Sequence, residues 1–155
     1  MTTLHAKTAL LPEGWTSNVS VQVQNGRITQ VVKDGPVQAA DTQVDVLLPA
    51  PTNLHSHGFQ RAMGGLTERR GDQSNDSFWT WRQLMFRFLD QLTPDDIQAI
   101  TAQVQMEMLE AGYAASVEFH YLHHQPGGIA YDNRAELSER IAAAAVQSGI
   151  GLTLL

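Results

Sequence analysis

Along the first fifty residues the apolar positions recur every second residue. Val19, Val21 and Val23 alternate with polar neighbours, Asn25-Gly26 follows, and the stretch from Ile28 to Val32 resumes the pattern. A two-residue period turns one face of a strand inward, and Asn-Gly supplies the positive φ of a type I′ turn, so this stretch predicts a β-hairpin. Val44, Val46 and Leu48 alternate again until Pro49 and Pro51 break the run. No helical period appears before residue 59, so residues 1–50 read as an N-terminal β segment.

From residue 51 the texture becomes α/β. A short strand pattern ends at His55-Ser56-His57, and a loop rich in Gly and charge runs from Gly64 to Asn75. Asp76-Ser77 caps a predicted helix over Phe78 to Leu92, whose stripe is Phe78, Trp81, Met85, Phe88, Leu89 and Leu92. Thr93-Pro94-Asp95-Asp96 is a second helix start, with Thr at the cap, Pro in the first turn and acids at the positive end. Its predicted buried face is Ile97, Ile100, Val104, Met108 and Ala111, and Gly112 stops it. A strand is expected over Ala114 to Tyr121. Asn133 with Glu136 predicts a capping box for a third helix with the stripe Leu137, Ile141 and Ala145, ended by Gly149. Ile150 to Leu155 is apolar on both faces, as in a buried parallel strand. The order β, two helices, β, α, β implies parallel strands joined by crossovers. Because the last residue falls inside a strand pattern, we expect this chain to be the N-terminal piece of a longer protein, or one whose missing part is supplied elsewhere.

Composition narrows the chemistry. The net charge is -6, from 16 Asp and Glu against 10 Lys and Arg, which argues against a nucleic-acid partner. Only Lys7 and Lys33 among the basic residues are Lys; Arg is the better carboxylate clamp, and a GC-rich genome gives the same bias. With no cysteine, a metal must be held by His and carboxylates. The N-terminus lacks a basic stretch followed by an apolar one, and no apolar window approaches the ~18 residues of a membrane span. The expectation is a cytoplasmic protein with no membrane partner.

Two of the six histidines stand one residue apart, His55 and His57. In a strand, residues i and i+2 point to one face about 6.6 Å apart along the chain, so two imidazoles can converge on one ion. Two loop histidines have the same spacing, and the pattern alone leaves both readings open. His120, His123 and His124 cluster beside Glu118. They read either as a second metal site or, since His120 and His123 do not share a strand face, as loop and supporting residues.

The flanking residues add a resemblance. PTNLHSHGFQRAM, with β pattern before it and βα pattern after, resembles the amidohydrolase superfamily. There a metal-dependent (β/α)8 barrel carries HxH on its first strand, and a small β-sandwich is built from both chain ends. NDSFWTWRQLMFRF and EMLEAGYAASVEFHYLHH narrow the likeness to the N-formimino-L-glutamate deiminase family. The match runs from Pro51 to Leu155 and ends in GIGLTLL; residues 1–50 match in character only.

The resemblance implies that His55 and His57 are metal ligands, for zinc or alternatively iron, and that Gln60, Arg82 and Tyr121 contact the substrate. It implies hydrolysis of N-formimino-L-glutamate to N-formyl-L-glutamate and ammonia, with a water activated by the metal. Phe78, Trp79 and Trp81 are read as packing. The family's other metal ligands and its catalytic Glu, His and Asp come from later strands, so no catalytic residue is assignable here. A barrel of this kind needs about 250 residues, so the resemblance implies that residues 51–155 are the first βα units of a (β/α)8 barrel that is incomplete in this chain, and that this chain alone is inactive. The resemblance leaves a homodimer open for the full-length protein. A guanine-deaminase-like or chlorohydrolase-like enzyme, and a non-catalytic fragment, are the competing readings.

Overall fold

Asn25 and Gly26 both adopt positive φ, 51° and 73°. The chain reverses there between β2 (Gly14–Gln24) and β3 (Arg27–Lys33), as the Asn-Gly signal requires. A computed structural model describes residues 1–39, 41–68 and 77–155. Of the expected cap Asp76-Ser77, Ser77 stands at the N-cap of the helix that follows, while Asp76 and most of the charged loop before it lie outside the described residues. The chain divides into two units, Met1–Pro49 and Ala50–Leu155.

In the first unit, β1 (Thr2–Leu11), β2, β3 and β4 (Thr42–Leu47) form one sheet in the order β3-β2-β1-β4. β1 pairs antiparallel with β2 and parallel with β4. One face buries Ala6, Ala9, Val19 and Val21, with Val23, Val44 and Leu47 packed against them. The alternation in β4 is only half realised, since Val44 is partly buried while Val46 and Leu48 are exposed. β1 carries too weak an alternation to be read from sequence, because Lys7 and Thr8 interrupt its small apolar residues. His5 is buried and its Nδ1 lies 2.9 Å from Ser20 Oγ, its partner across the β1–β2 ladder.

In the second unit, β5 (Thr52–Ser56), β6 (Ala115–Glu118) and β7 (Gly151–Leu154) form a parallel sheet in that order. A 3-10 turn (Gly58–Met63), α1 (Phe78–Leu89) and α2 (Pro94–Glu110) connect β5 to β6. α3 (Glu136–Ser148) connects β6 to β7. The core under the helices is Phe59, Met63, Met85, Ile97, Leu137 and Ile141, with Leu152 and Leu154 of β7 packed against it.

The helix starts follow from side-chain chemistry. Thr93 Oγ1 accepts from the Asp96 amide at 3.2 Å, and Asp96 Oδ2 accepts from the Thr93 amide at 2.9 Å, so a reciprocal box opens α2. The expected box at Asn133 does not form. Asn133 Oδ1 instead accepts from the Ala135 amide at 3.0 Å, which makes a local turn, and α3 begins only at Glu136. Gly149 ends α3 in the left-handed region at φ 82°, where glycine carries no Cβ penalty.

The buried face of α2 differs from the apolar stripe. Ile97, Thr101 and Gln105 are buried, whereas Ile100, Val104 and Met108 are half-buried and Ala111 is exposed. The helix is turned so that Thr101 lies against Gly58, and Gln105 Oε1 accepts from Ser148 Oγ at 2.9 Å. Close approach at Gly58 and pairing with α3 decide this rotation over apolar content. β6 also stops at Glu118, three residues before Tyr121, so Tyr121 lies in the segment beyond the strand rather than at its end.

Candidate metal centre

The three parallel strands end on one edge of their sheet, and the polar side chains of interest gather there. β6 pairs with β7 so that Ser116 and Glu118 share a face with Leu152 and Leu154, the face under the helices. Ser56 pairs with Glu118 and is buried on that same face. His55 and His57, one residue to either side of Ser56, turn to the opposite face. The β5–β6 register shifts between Asn53 and Ser56, and such a bulge re-aims the side chains that follow it. Asn53 Oδ1 accepts from the His55 amide at 3.1 Å within this irregular stretch.

The two imidazoles converge. Their Nε2 atoms are 3.0 Å apart, with ring planes at 84°. His57 Nδ1 lies 2.9 Å from the Phe119 carbonyl oxygen. A carbonyl only accepts, so Nδ1 carries the proton and the neutral ring presents its lone pair at Nε2. That lone pair lies 3.0 Å from His55 Nε2. Phe119 stacks on His55 at 6.5 Å between centroids and meets His57 edge-on at 5.7 Å.

This arrangement fits two ligands of one ion. Metal–nitrogen bonds of about 2.0–2.1 Å, at angles from about 90° to tetrahedral, place two nitrogens roughly 2.9–3.4 Å apart. A second-ring nitrogen tied to a carbonyl is the usual support for a metal-bound His. Among the described residues no group of three or more His, Asp or Glu side chains gathers around an ion position. The pair is therefore a partial donor set.

Gln60 and Tyr121 lie beside the pair and touch each other. Gln60 Nε2 donates to Tyr121 Oη at 3.0 Å. The Tyr121 ring packs edge-on against His57 at 5.0 Å and against Phe59 at 5.5 Å. Burial pushes the Tyr121 phenol above its ordinary pKa, the Gln60 hydrogen bond opposes this, and the Glu118 charge adds to it. Arg82 is not joined to this group by a hydrogen bond among the described residues. It is exposed on α1, with its guanidinium over the rings of Trp79, at 5.8 Å, and Phe86, at 5.2 Å.

The other histidines do not form a metal cluster among the described residues. His120 is buried, and among the described residues its Nε2 has no hydrogen-bond partner. Burial, and next the charge of His123, push its pKa down to about 4, against a smaller opposing effect of the Leu122 backbone. His123 and His124 are exposed. A cavity of about 300 Å³ opens beside Tyr121, Leu122, His123 and Ile97, and its lining includes neither His55 nor His57.

Sequence reasoning gave no part to the Phe119 carbonyl and left Glu118 without one. Main-chain groups carry no sequence signal, but Glu118 at a position facing the core was a visible anomaly, since a lone Glu is seldom buried unpaired.

The fold and the site edge define a class. The structure superposes on the crystal structure of an amidohydrolase from Brucella melitensis with a TM-score of 0.90 and 43% identity, covering 100% of this chain and 34% of that one. It also shares its fold with atrazine chlorohydrolase TrzN from Arthrobacter aurescens TC1, crystallised with zinc, at a TM-score of 0.74 and 16% identity, over 99% of this chain and 35% of that one. The chain is thus a mixed α/β protein with the fold of the N-terminal third of amidohydrolases. Within that class it resembles the formimidoylglutamate deiminases. It is 49% identical to formimidoylglutamate deiminase of Pseudomonas aeruginosa, over 100% of this chain and 34% of the relative. Residues 1–45 match the family model for formimidoylglutamate deiminase HutF, N-terminal domain. That match falls on the segment whose sequence likeness was one of character only. The chain spans about a third of the length of the relative it matches.

Proposed function

We propose that this chain forms the N-terminal part of a zinc-dependent enzyme that hydrolyses N-formimino-L-glutamate to N-formyl-L-glutamate and ammonia. In this reading it holds part of the active site, and the remaining ligands and the catalytic acid and base lie outside these residues. The observation that carries the reading is the convergence of His55 and His57 Nε2 at 3.0 Å, with the second nitrogen of His57 tied to Phe119. The 49% identity to a formimidoylglutamate deiminase supports the choice of substrate.

His55 and His57 would hold the metal, zinc or alternatively iron. When bound, the ion supplies Lewis-acid activation of water near neutral pH. The chain's own residues bind and orient the substrate. The Gln60 amide and the Tyr121 phenol are already linked to each other, and present a donor and acceptor pair beside the metal position. Raising the phenol pKa keeps Tyr121 protonated and able to donate to a carboxylate. Arg82 would supply a guanidinium fork for a substrate carboxylate. Trp79 and Phe86 support that side chain from below, which limits its conformations.

The test is ammonia release from N-formimino-L-glutamate by the full-length protein, before and after chelation. Turnover that chelation abolishes and zinc restores is expected. Turnover of a purine or triazine with none of formiminoglutamate would replace this substrate with another of the same class.

A further inference from the structure

Glu118 is buried at 4% exposure, yet no cation pairs with it among the described residues. Among the described residues its carboxylate bonds to main chain: Oε1 accepts from the Gly58 amide at 2.6 Å. Gly58 directly follows His57. The residue just past β6, Phe119, accepts from His57 Nδ1 at 2.9 Å and donates its own amide to the Ser56 carbonyl at 2.9 Å. Three bonds from two consecutive residues thus grip three consecutive residues of the His55–Gly58 stretch. Two of the three use the main chain of Phe119, whatever its side chain, and of these one also needs the His57 ring; the third depends on the reach of the Glu118 side chain. Gly58 is also packed tightly. A Cβ there would meet Thr101 Oγ1 at 3.3 Å and Glu118 Oε1 at 3.4 Å.

We infer that Glu118 is a positioning residue for the metal centre. Its carboxylate fixes the peptide after His57, so that the imidazole meets the Phe119 carbonyl through Nδ1 and offers Nε2 to the ion. The inference rests on the reading of His57 as a metal ligand, and adds a residue that touches neither metal nor substrate. The bond uses an acceptor at a given reach. Glu118→Gln keeps that reach and loses the charge, whereas Glu118→Asp keeps the charge and is one methylene too short.

The experiment uses full-length protein, made metal-free and labelled with 15N-histidine, with the His57 signals assigned by their loss in His57→Asn. In wild type and Glu118→Gln the ring is expected as the Nδ1–H tautomer, and in Glu118→Asp and Glu118→Ala as a mixture of tautomers. Zinc affinity, measured by chelator competition, should fall about tenfold to a hundredfold in the Asp and Ala variants, the usual cost of losing a supporting group. In the Gln variant it should stay within about threefold of wild type. An Asp variant with an unmixed Nδ1–H ring and unaltered affinity overturns the inference. A Gln variant as weak as Ala overturns it too, because charge and not reach would then be the requirement. If Ala and Asp do not fold, the Gln result decides alone. The tautomer is read without metal or substrate, so a failure of the deiminase reading appears separately, as absent ammonia release.

Discussion

Among the described residues His120 is a buried imidazole with an unpartnered nitrogen, which couples its protonation to folding. Its pKa of about 4 in the folded chain is below the ordinary 6.5, because burial penalises the charged ring. Above pH 6.5 both folded and unfolded chains hold it neutral, and its contribution to stability is complete. As pH falls from 6.5 towards 4 the unfolded chain takes up the proton first, so stability is lost through that window and no further below it. Between pH 7 and pH 4.5 this loss is on the order of 2 kcal/mol. Urea unfolding at the two pH values should show it in the wild type and show less of it in His120→Gln. Equal losses in both would mean that His120 is solvated in the folded chain.

At the scale of elements, α2 separates propensity from packing. Its start is local: removing the Thr93 hydroxyl in Thr93→Ala should cost about 1 kcal/mol. Its facing is not local. Ile97 is 2% exposed and lies in the core with Phe59, Met63 and Leu137, so Ile97→Ala should cost about 2–5 kcal/mol. Ile100→Ala should cost clearly less, since Ile100 is only half-buried. Denaturant midpoints of the three variants order these effects. Equal costs for Ile97 and Ile100 would restore the apolar stripe as the buried face. The 3-10 turn after β5 is the other decisive element, because it leads the chain from His57 towards the Phe59 and Met63 positions of the core.

Over the whole molecule, the sheet β5-β6-β7 has helices on one face only among the described residues. Parallel sheets normally bury both faces. Here Leu54, Phe119 and Leu155 remain 75%, 48% and 65% exposed. In the proposed enzyme, further strands of the barrel would close that face and bring the missing ligands to the His pair. Residues 1–155 alone should therefore retain far less than one zinc per chain after dialysis, while the full-length protein retains about one. Stoichiometric zinc in the short chain would mean that His55 and His57 recruit their remaining ligands from within it.

The sequence by itself determined the local events: the Asn25-Gly26 reversal, the Thr93 box, the Gly149 stop and the alternation of strands with helices. Each of these is settled by φ preference, by a side chain reaching a nearby amide, or by hydrophobic period, all within a few residues of chain. It also marked His55 and His57, because a two-residue spacing at a strand end is a local fact. Only the tertiary structure decided which way those rings are wired. The Glu118 carboxylate, from the last residue of a strand some sixty residues on, and the carbonyl of Phe119 just past it meet Gly58 and His57 only through strand register. The rotation of α2 belongs to the same class, since it is set by close approach to Gly58 and by the Gln105–Ser148 bond rather than by the helix's own pattern.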